Sequence, residues 1–98
     1  MSVIRHVIVH GRVQGVGFRA FVEYEAVARG LEGWVRNRRE GTVEAVFKGE
    51  EAVVFDMIEA CRRGPFAARV DTVRQREGDA ADCRSRRAGE LFSVLPTA

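Results

Sequence analysis

A β-branched segment that ends in a glycine-rich bend constrains the fold of this chain more than any other feature. Residues 3–10 read VIRHVIVH, and the next seven residues, GRVQGVG, include three glycines. β-branched residues favour an extended strand, and glycines permit a sharp change of direction after it. From Phe18 to Ala26, apolar residues recur at the spacing of one helix face, and Gly30 is placed to end that helix. The sequence therefore predicts a strand, a tight bend and a helix over residues 18–29.

The rest of the chain is expected to supply one more helix and four more strands. Apolar residues from Val54 to Cys61 follow a helical period, and Gly64 and Pro65 stop it. Residues 78–89 are polar without a consistent period, so we expect a mobile loop there. The predicted strands span residues 33–38, 42–48, 67–76 and 91–95.

The order of these elements predicts the fold class. Strand, helix, strand, strand, helix, strand is the ferredoxin-like βαββαβ sandwich, an α+β fold with an antiparallel sheet and two helices on one face. A length of 98 residues is enough for one hydrophobic core and too short for two binding lobes. We therefore expect a single domain over residues 1–98.

Composition and charge restrict the function classes. The formal net charge is only +2, from 16 Lys and Arg against 14 Asp and Glu, which by itself does not indicate a polyanionic partner. Cys61 and Cys83 are the only cysteines, and they lack the spacing of a zinc site or a redox pair. The sequence shows no secretory signal and no apolar segment of membrane-spanning length. We therefore expect a cytoplasmic location.

The bend lies between a strand and a helix N-terminus, which is a favourable place for an anion. The first N–H groups of a helix have no intrahelical partner, and the helix dipole is positive at that end. Gly11, Gly15 and Gly17 permit a close backbone approach, and Arg19 can add a bidentate contact to a phosphate or carboxylate. A tight structural turn with a solvated Arg19 is the alternative interpretation.

Two segments together resemble the signature sequences of a known family. GRVQGVGFR at residues 11–19 and GLEGWVRN at residues 30–37 are similar to the two signature segments of acylphosphatases, in the same order and at the same spacing. The resemblance covers roughly residues 3–76 and continues weakly to Phe92. It implies a metal-independent acylphosphatase, which hydrolyses the carboxyl–phosphate bond of small acyl phosphates to a carboxylate and inorganic phosphate.

The resemblance also implies the roles of individual residues. The family's catalytic pair is the arginine that ends the first segment and the asparagine that ends the second, and these match Arg19 and Asn37. Asn37 is expected to position the attacking water. Phosphate is expected to bind to the Arg19 side chain and to the main-chain N–H groups of Gln14, Gly15, Val16, Gly17, Phe18 and Arg19. Neither a metal nor a cofactor is implied.

The chemistry of the reaction agrees with this set of residues. Hydrolysis of a carboxyl phosphate expels a carboxylate whose conjugate acid has a pKa of about 4, so no general acid is required. Phosphoryl transfer depends mainly on positioning and charge stabilisation, which N–H groups, one arginine and one amide can supply. His6 and His10 are expected to serve in structural hydrogen bonds or to be exposed to solvent, since the resemblance implies no catalytic histidine at either position. Few specificity residues are recognisable, so broad acceptance of acyl groups is expected.

A non-catalytic module is the competing hypothesis. The same fold could bind an anionic metabolite, or RNA through the neighbouring Arg36, Arg38 and Arg39. Asn37 favours the enzyme, because a binding protein has no evident use for it. A second arginine cluster, at residues 84–87, is interpreted as a solvated surface. The expected partners are a small-molecule acyl phosphate and inorganic phosphate or a similar anion in the loop, with no nucleic acid and no membrane, and a monomer is expected.

Overall fold

A five-stranded sheet forms the centre of the molecule. The computed structural model describes residues 1–98. Along the chain it contains β1 (Ser2–Arg12), α1 (Phe18–Ala28), β2 (Glu32–Asn37), β3 (Val43–Glu50), α2 (Glu51–Arg63), β4 (Arg69–Glu77), α3 (Ala80–Cys83) and β5 (Phe92–Val94). The strands lie in the order β4-β1-β3-β2-β5. The succession of β1 to β4 with the two long helices confirms the predicted ferredoxin-like α+β arrangement.

The four longer strands pair antiparallel, as the sequence predicts. β1 pairs with β3 and β4, and β3 pairs with β2. The short β5 instead runs parallel to β2, so the complete sheet is mixed. β4 and β5 occupy opposite edges of the sheet, and the chain between them therefore has to cross one of its faces. That crossing brings the C-terminal residues beside β2.

Both long helices pack on the same face of the sheet. Side chains alternate between the two faces of a strand, and residues such as Val7 and Phe47 belong to the helix-facing set. α1 buries Val22 and α2 buries Met57 in the same core. Full burial of such apolar side chains contributes about 1.5–3 kcal/mol each. This core fixes the position of α1, whose N-terminus follows the glycine-rich bend.

The opposite face of the sheet is crossed by residues 78–91, which include the one-turn helix α3. The Asp79 and Asp82 carboxylates cap this turn reciprocally, each accepting a hydrogen bond from the other residue's N–H, at 3.0 and 2.9 Å. Cys83 is buried against Trp34, whose indole N–H donates to the Asp82 carbonyl at 2.7 Å. The loop prediction for this segment is therefore wrong where α3 forms. A single turn with one buried residue is too short to produce a helical period.

β1 is longer than predicted because it continues past Gly11. Its pairing with β4 shifts register between His10 and Gly11, which marks a bulge. Gly11 has a φ of 131°, and a Cβ at this position would overlap the carbonyl of Arg69. The strand therefore extends to Arg12 and leads directly into the bend.

The other helices and strands lie where the sequence predicts them, with ends that differ by a few residues. α1 ends at Ala28, two residues before Gly30, and α2 begins at Glu51, ahead of its apolar stripe. None of the helices combines the length and the apolar composition of a membrane span.

Candidate active site

The bend between β1 and α1 is a loop with a buried side chain at each end. Val13 and Phe18 are 1% and 2% exposed, and both pack in the main core. Gly15 and Gly17 between them are exposed and have φ values of 73° and 78°, in the left-handed region that glycine favours. This glycine loop (residues 13–18) therefore curves outwards from a fixed base.

The N–H groups along the glycine loop have no acceptor in the protein. The main-chain N–H groups of residues 14–19 donate no hydrogen bond to another main-chain group. The first main-chain hydrogen bond of α1 runs from the Phe21 N–H to the Gly17 carbonyl, at 3.0 Å. Gly17 is the N-cap residue of α1 and offers no side-chain cap. The positive end of the helix dipole therefore faces the loop with its N–H groups unpaired. Such an arrangement suits an anion.

Gln14 connects the glycine loop to the turn between β2 and β3. Its side-chain amide donates to the Arg38 carbonyl at 2.7 Å and to the Thr42 carbonyl at 2.9 Å. The sequence suggests only a main-chain contact for Gln14, and the structure adds this second role for its side chain. The side chain of Val16 packs against the core. In both residues, the main-chain N–H is the group that remains available to a ligand.

Asn37 ends β2 on the same side of the sheet as α1. Val35, two residues earlier in the strand, is fully buried in the core beneath the helices, and strand alternation gives Asn37 the same direction. The main-chain carbonyl of Asn37 accepts a hydrogen bond from the Ala98 N–H at 3.1 Å. Asn37 is thus held by its backbone, with its side chain on the helix side.

A cleft of about 470 Å³ brings most of the predicted site residues together. Neither the Arg19 guanidinium nor the Asn37 amide has a hydrogen-bond or ion-pair partner in the protein. Gln14 and Val16 do not line the cleft. The predicted residues that do line it are Gly15, Gly17, Phe18, Arg19 and Asn37.

A second wall of the cleft comes from Arg87, Glu90 and Val94, which sequence reasoning missed. The buried Ser93 hydroxyl orders this wall, because it accepts from the Arg87 N–H at 2.8 Å and donates to the Glu90 carboxylate at 2.7 Å. The Arg87 guanidinium also donates to the Val94 carbonyl at 2.8 Å. The interpretation of residues 84–87 as a solvated surface is contradicted at Arg86, which pairs with Glu32 at 2.6 Å, whereas Arg87 is solvent-exposed but also lines the cleft. Its place in the cleft depends on the pairing of β5 with β2, for which the sequence gives no local signal.

The histidines and cysteines lie away from the cleft. His6 binds Glu44 on the opposite face of the sheet, and strand alternation places His10 on that face too. Burial raises the pKa of the Cys61 thiol to about 12, and burial also raises the pKa of Cys83. The residues around the cleft therefore offer no histidine base and no thiolate. Nowhere do three or more His, Cys, Asp or Glu side chains converge in a geometry for a metal ion.

Comparisons with known proteins agree with this fold. The acylphosphatase family model matches residues 5–86. An acylphosphatase of Bradyrhizobium diazoefficiens is 58% identical over 94 residues, which cover 96% of this chain and 95% of the relative. The crystal structure of acylphosphatase from Bacillus subtilis has a TM-score of 0.81 and 39% identity, covering 97% of this chain and 99% of that one. The acylphosphatase structure from Coxiella burnetii has a TM-score of 0.80 and 35% identity, and the match covers 96% of this chain and 93% of that one.

The fold and the cleft define a small α+β protein in which a helix N-terminus with unpaired N–H groups borders a cleft. With the family match and these relatives, the chain belongs to the acylphosphatase family. It is an enzyme of the class that hydrolyses acyl phosphates.

Proposed function

We propose that the glycine loop and Arg19 hold the phosphoryl group of a small acyl phosphate while Asn37 orients the attacking water. The observation that supports this most directly is the shared cleft, where unpaired loop N–H groups and an unpaired Arg19 lie with an unengaged Asn37 amide. N–H groups that converge with one guanidinium form a strong site for a phosphate. In this proposal residues 1–98 act as a single domain.

The proposed reaction is an in-line displacement at phosphorus. The phosphoryl oxygens receive hydrogen bonds from the N–H groups of residues 14–19 and from Arg19. A water oxygen forms a bond to phosphorus while the bond from phosphorus to the carboxyl oxygen breaks on the opposite side. The bonding electron pair leaves with the carboxylate, and the proton lost by the water goes to the phosphate or to solvent. Because the acid of the leaving group has a pKa of about 4, neither a proton donor nor a metal ion is needed.

The role proposed for Asn37 follows from the chemistry of an amide. A side-chain amide offers one oxygen acceptor and two N–H donors. The oxygen of Asn37 accepts a hydrogen bond from the attacking water and directs a water lone pair at phosphorus. Positioning of this kind supplies a large part of the rate in phosphoryl transfer, in which little covalent chemistry falls to the protein.

The acyl group is proposed to lie along the open side of the cleft. The wall there contains Arg87, Glu90 and Val94, and both charged side chains are about half exposed, at 54% and 47%. A half-exposed wall imposes little shape selection, so the enzyme accepts acyl groups of different size. Initial rates on a panel of acyl phosphates test this breadth.

A binding module without catalysis is the competing hypothesis that the sequence left open. Its RNA version depends on Arg36, Arg38 and Arg39, but the first two already donate hydrogen bonds to the Glu44 carboxylate. Binding to a phosphate backbone relies on several available cations. The contacts therefore favour a small-molecule substrate over a nucleic acid. We further propose a cytoplasmic monomer without a membrane partner.

Phosphate release from benzoyl phosphate or acetyl phosphate in the presence of EDTA tests the proposed function. Arg19→Ala and Asn37→Ala are compared with the wild type and with Arg63→Ala, an exposed arginine at the end of α2. We expect the wild type and Arg63→Ala to retain activity. Each site variant should lose about 10²- to 10³-fold, the usual effect of removing one preorganised transition-state contact. Inert wild-type protein that still binds inorganic phosphate would instead support the binding module.

A further inference from the structure

Glu44 lies on the face of the sheet opposite the cleft, and its carboxylate contacts three side chains. His6 Nε2 lies 2.7 Å from Oε2, while Arg36 Nε and Arg38 Nη1 donate to Oε1 at 2.7 and 3.3 Å. Glu44 is 8% exposed, so water competes poorly for these contacts. The four residues, called the Glu44 cluster, form one polar network across β1, β2 and the start of β3.

The two arginines of the cluster are the sequence neighbours of Asn37. Successive side chains along a strand point to opposite faces, so Arg36 and Arg38 lie on the face of Glu44 while Asn37 lies on that of the cleft. The Arg38 N–H still continues the strand pairing, donating to the Thr42 carbonyl at 2.9 Å. One carboxylate therefore restrains the backbone on both sides of Asn37.

Further contacts restrict the same strand end. Arg36 is the direct cross-strand partner of Glu44, and its guanidinium carbon lies 4.7 Å from the centroid of the Trp34 ring. The Arg36 and Arg38 side chains are only 24% and 34% exposed. Without the carboxylate, two guanidinium groups would lie two residues apart on one face and repel each other. The geometry of this strand end thus depends on the charge of Glu44.

We propose that Glu44 is a positioning residue for acyl phosphate hydrolysis, because it fixes the strand end that presents Asn37 to the cleft. This inference rests on the role proposed above for Asn37. Glu44 does not line the cleft, so it acts through Asn37 and not on the substrate. Phosphate binding is proposed to depend on the glycine loop, which has its own buried anchors, Val13 and Phe18, and contacts the strand end only through the main-chain carbonyls that the Gln14 amide binds.

Two variants separate positioning from general stability. Glu44→Gln retains the length of the side chain and one oxygen acceptor but removes the charge that both arginines share. Val46→Ala is the matched control, because Val46 lies two residues further along β3, is fully buried and packs with Trp34. Both are compared with the wild type and Asn37→Ala for kcat and KM on benzoyl phosphate, the inhibition constant of inorganic phosphate, and the melting temperature.

We expect Glu44→Gln to lower kcat about tenfold, since a small misplacement of a positioning group is costly. The inhibition constant of phosphate should stay within about twofold of the wild type, because the loop is untouched. Val46→Ala should lower the melting temperature and keep kcat, since it creates a cavity but leaves the Glu44 carboxylate and both arginines in place. Glu44→Asp, which keeps the charge, should have a kcat between those of Glu44→Gln and the wild type. It also provides a second test of the role of Glu44 if Glu44→Gln does not fold.

Three outcomes would overturn the inference. The first is a wild-type kcat in Glu44→Gln together with an impaired Asn37→Ala. The second is a parallel loss of kcat and phosphate binding in Glu44→Gln, which would indicate general distortion. The third is a wild-type kcat in Asn37→Ala, which removes the proposed role of Asn37 and the positioning role with it. The first outcome leaves the proposed function intact. Only the third outcome contradicts both the proposed function and the positioning role of Glu44.

Discussion

Gln14 and Arg38 are joined by a hydrogen bond of 2.7 Å, from the side-chain amide of the first to the carbonyl of the second. Arg38 directly follows Asn37, so this bond ties the glycine loop to the strand end that carries the proposed water-positioning residue. A second bond, from the same amide to the Thr42 carbonyl at 2.9 Å, fixes the other side of the turn. One side chain therefore constrains the separation of the glycine loop and Asn37.

Gln14→Ala is expected to impair substrate binding and turnover together. It removes both bonds to the turn, and a hydrogen bond of this kind contributes about 1 kcal/mol. We expect kcat/KM to fall about tenfold, as the loss of one to two such contacts implies. Steady-state kinetics on benzoyl phosphate measure this. Gln14→Glu, whose ionised carboxylate cannot donate to carbonyls, should behave like the alanine variant, and wild-type kinetics in both would contradict the role.

Gly17→Ala is expected to weaken phosphate binding about 5- to 30-fold through backbone strain. The φ of 78° costs a residue with a Cβ about 1–2 kcal/mol, although the added methyl meets no atom within 4 Å. Relief of this strain turns the loop N–H groups away from the anion. Gly30→Ala is the control, since Gly30 has a φ of 69° and equally open surroundings beyond the far end of α1.

The two glycine variants are compared by thermal melts and by titration calorimetry with inorganic phosphate. Similar shifts in melting temperature are expected, with weaker phosphate binding in Gly17→Ala alone. Equally weakened binding in both variants would show that the defect is not specific to the loop.

Arg87→Ala is expected to change substrate preference. The Arg87 side chain lines the cleft and is 54% exposed, so its contact with a substrate anion is screened by solvent. At such a site an ion pair contributes up to about 1 kcal/mol, which corresponds to an increase in KM of up to about fivefold. The increase should affect acyl phosphates whose acyl group carries a carboxylate, such as succinyl phosphate, and spare acetyl phosphate. An equal change for both substrates, or the same change in the exposed Arg84→Ala control, would contradict this prediction.

Glu44→Gln is also expected to make the melting temperature depend less strongly on pH in the acid range. Burial alone would raise the pKa of Glu44, but the hydrogen bonds from His6 and Arg36 outweigh burial and hold the pKa below its ordinary value of 4.5. A carboxyl group whose pKa is lower in the folded protein than in the unfolded chain stabilises the fold. This stabilisation is complete above the pKa in the unfolded chain and is lost as the pH falls through the pKa in the folded protein. Below about pH 4.5, the melting temperature should therefore fall more steeply in the wild type than in the variant. Parallel curves would contradict this linkage.

The local parts of the site could be predicted from the sequence. Three glycines at the junction of a β-branched segment and an apolar helical stretch predict an anion site at the helix N-terminus, and Arg19 follows one residue into that helix. These signals lie within a few residues of one another, where backbone preferences decide the structure. Asn37 carries no such signal by itself, and only the second signature segment identified it.

The parts that depend on strand pairing could not be predicted. The acceptors of the Gln14 amide are carbonyls 24 and 28 residues away, and their positions depend on how β3 pairs with its neighbours. Arg87 reaches the cleft only because the chain crosses the sheet and returns as a parallel β5. Glu44 faces both arginines because β2 and β3 pair in one register, which a shift of a single residue would reverse.

The division of roles between Arg19 and Asn37 is tested most directly by measuring kcat and the inhibition constant of inorganic phosphate for Arg19→Ala and Asn37→Ala. The predicted result is that Asn37→Ala binds phosphate as the wild type does and loses turnover, while Arg19→Ala loses both. Wild-type turnover in Asn37→Ala, or unimpaired phosphate binding in Arg19→Ala, would contradict it.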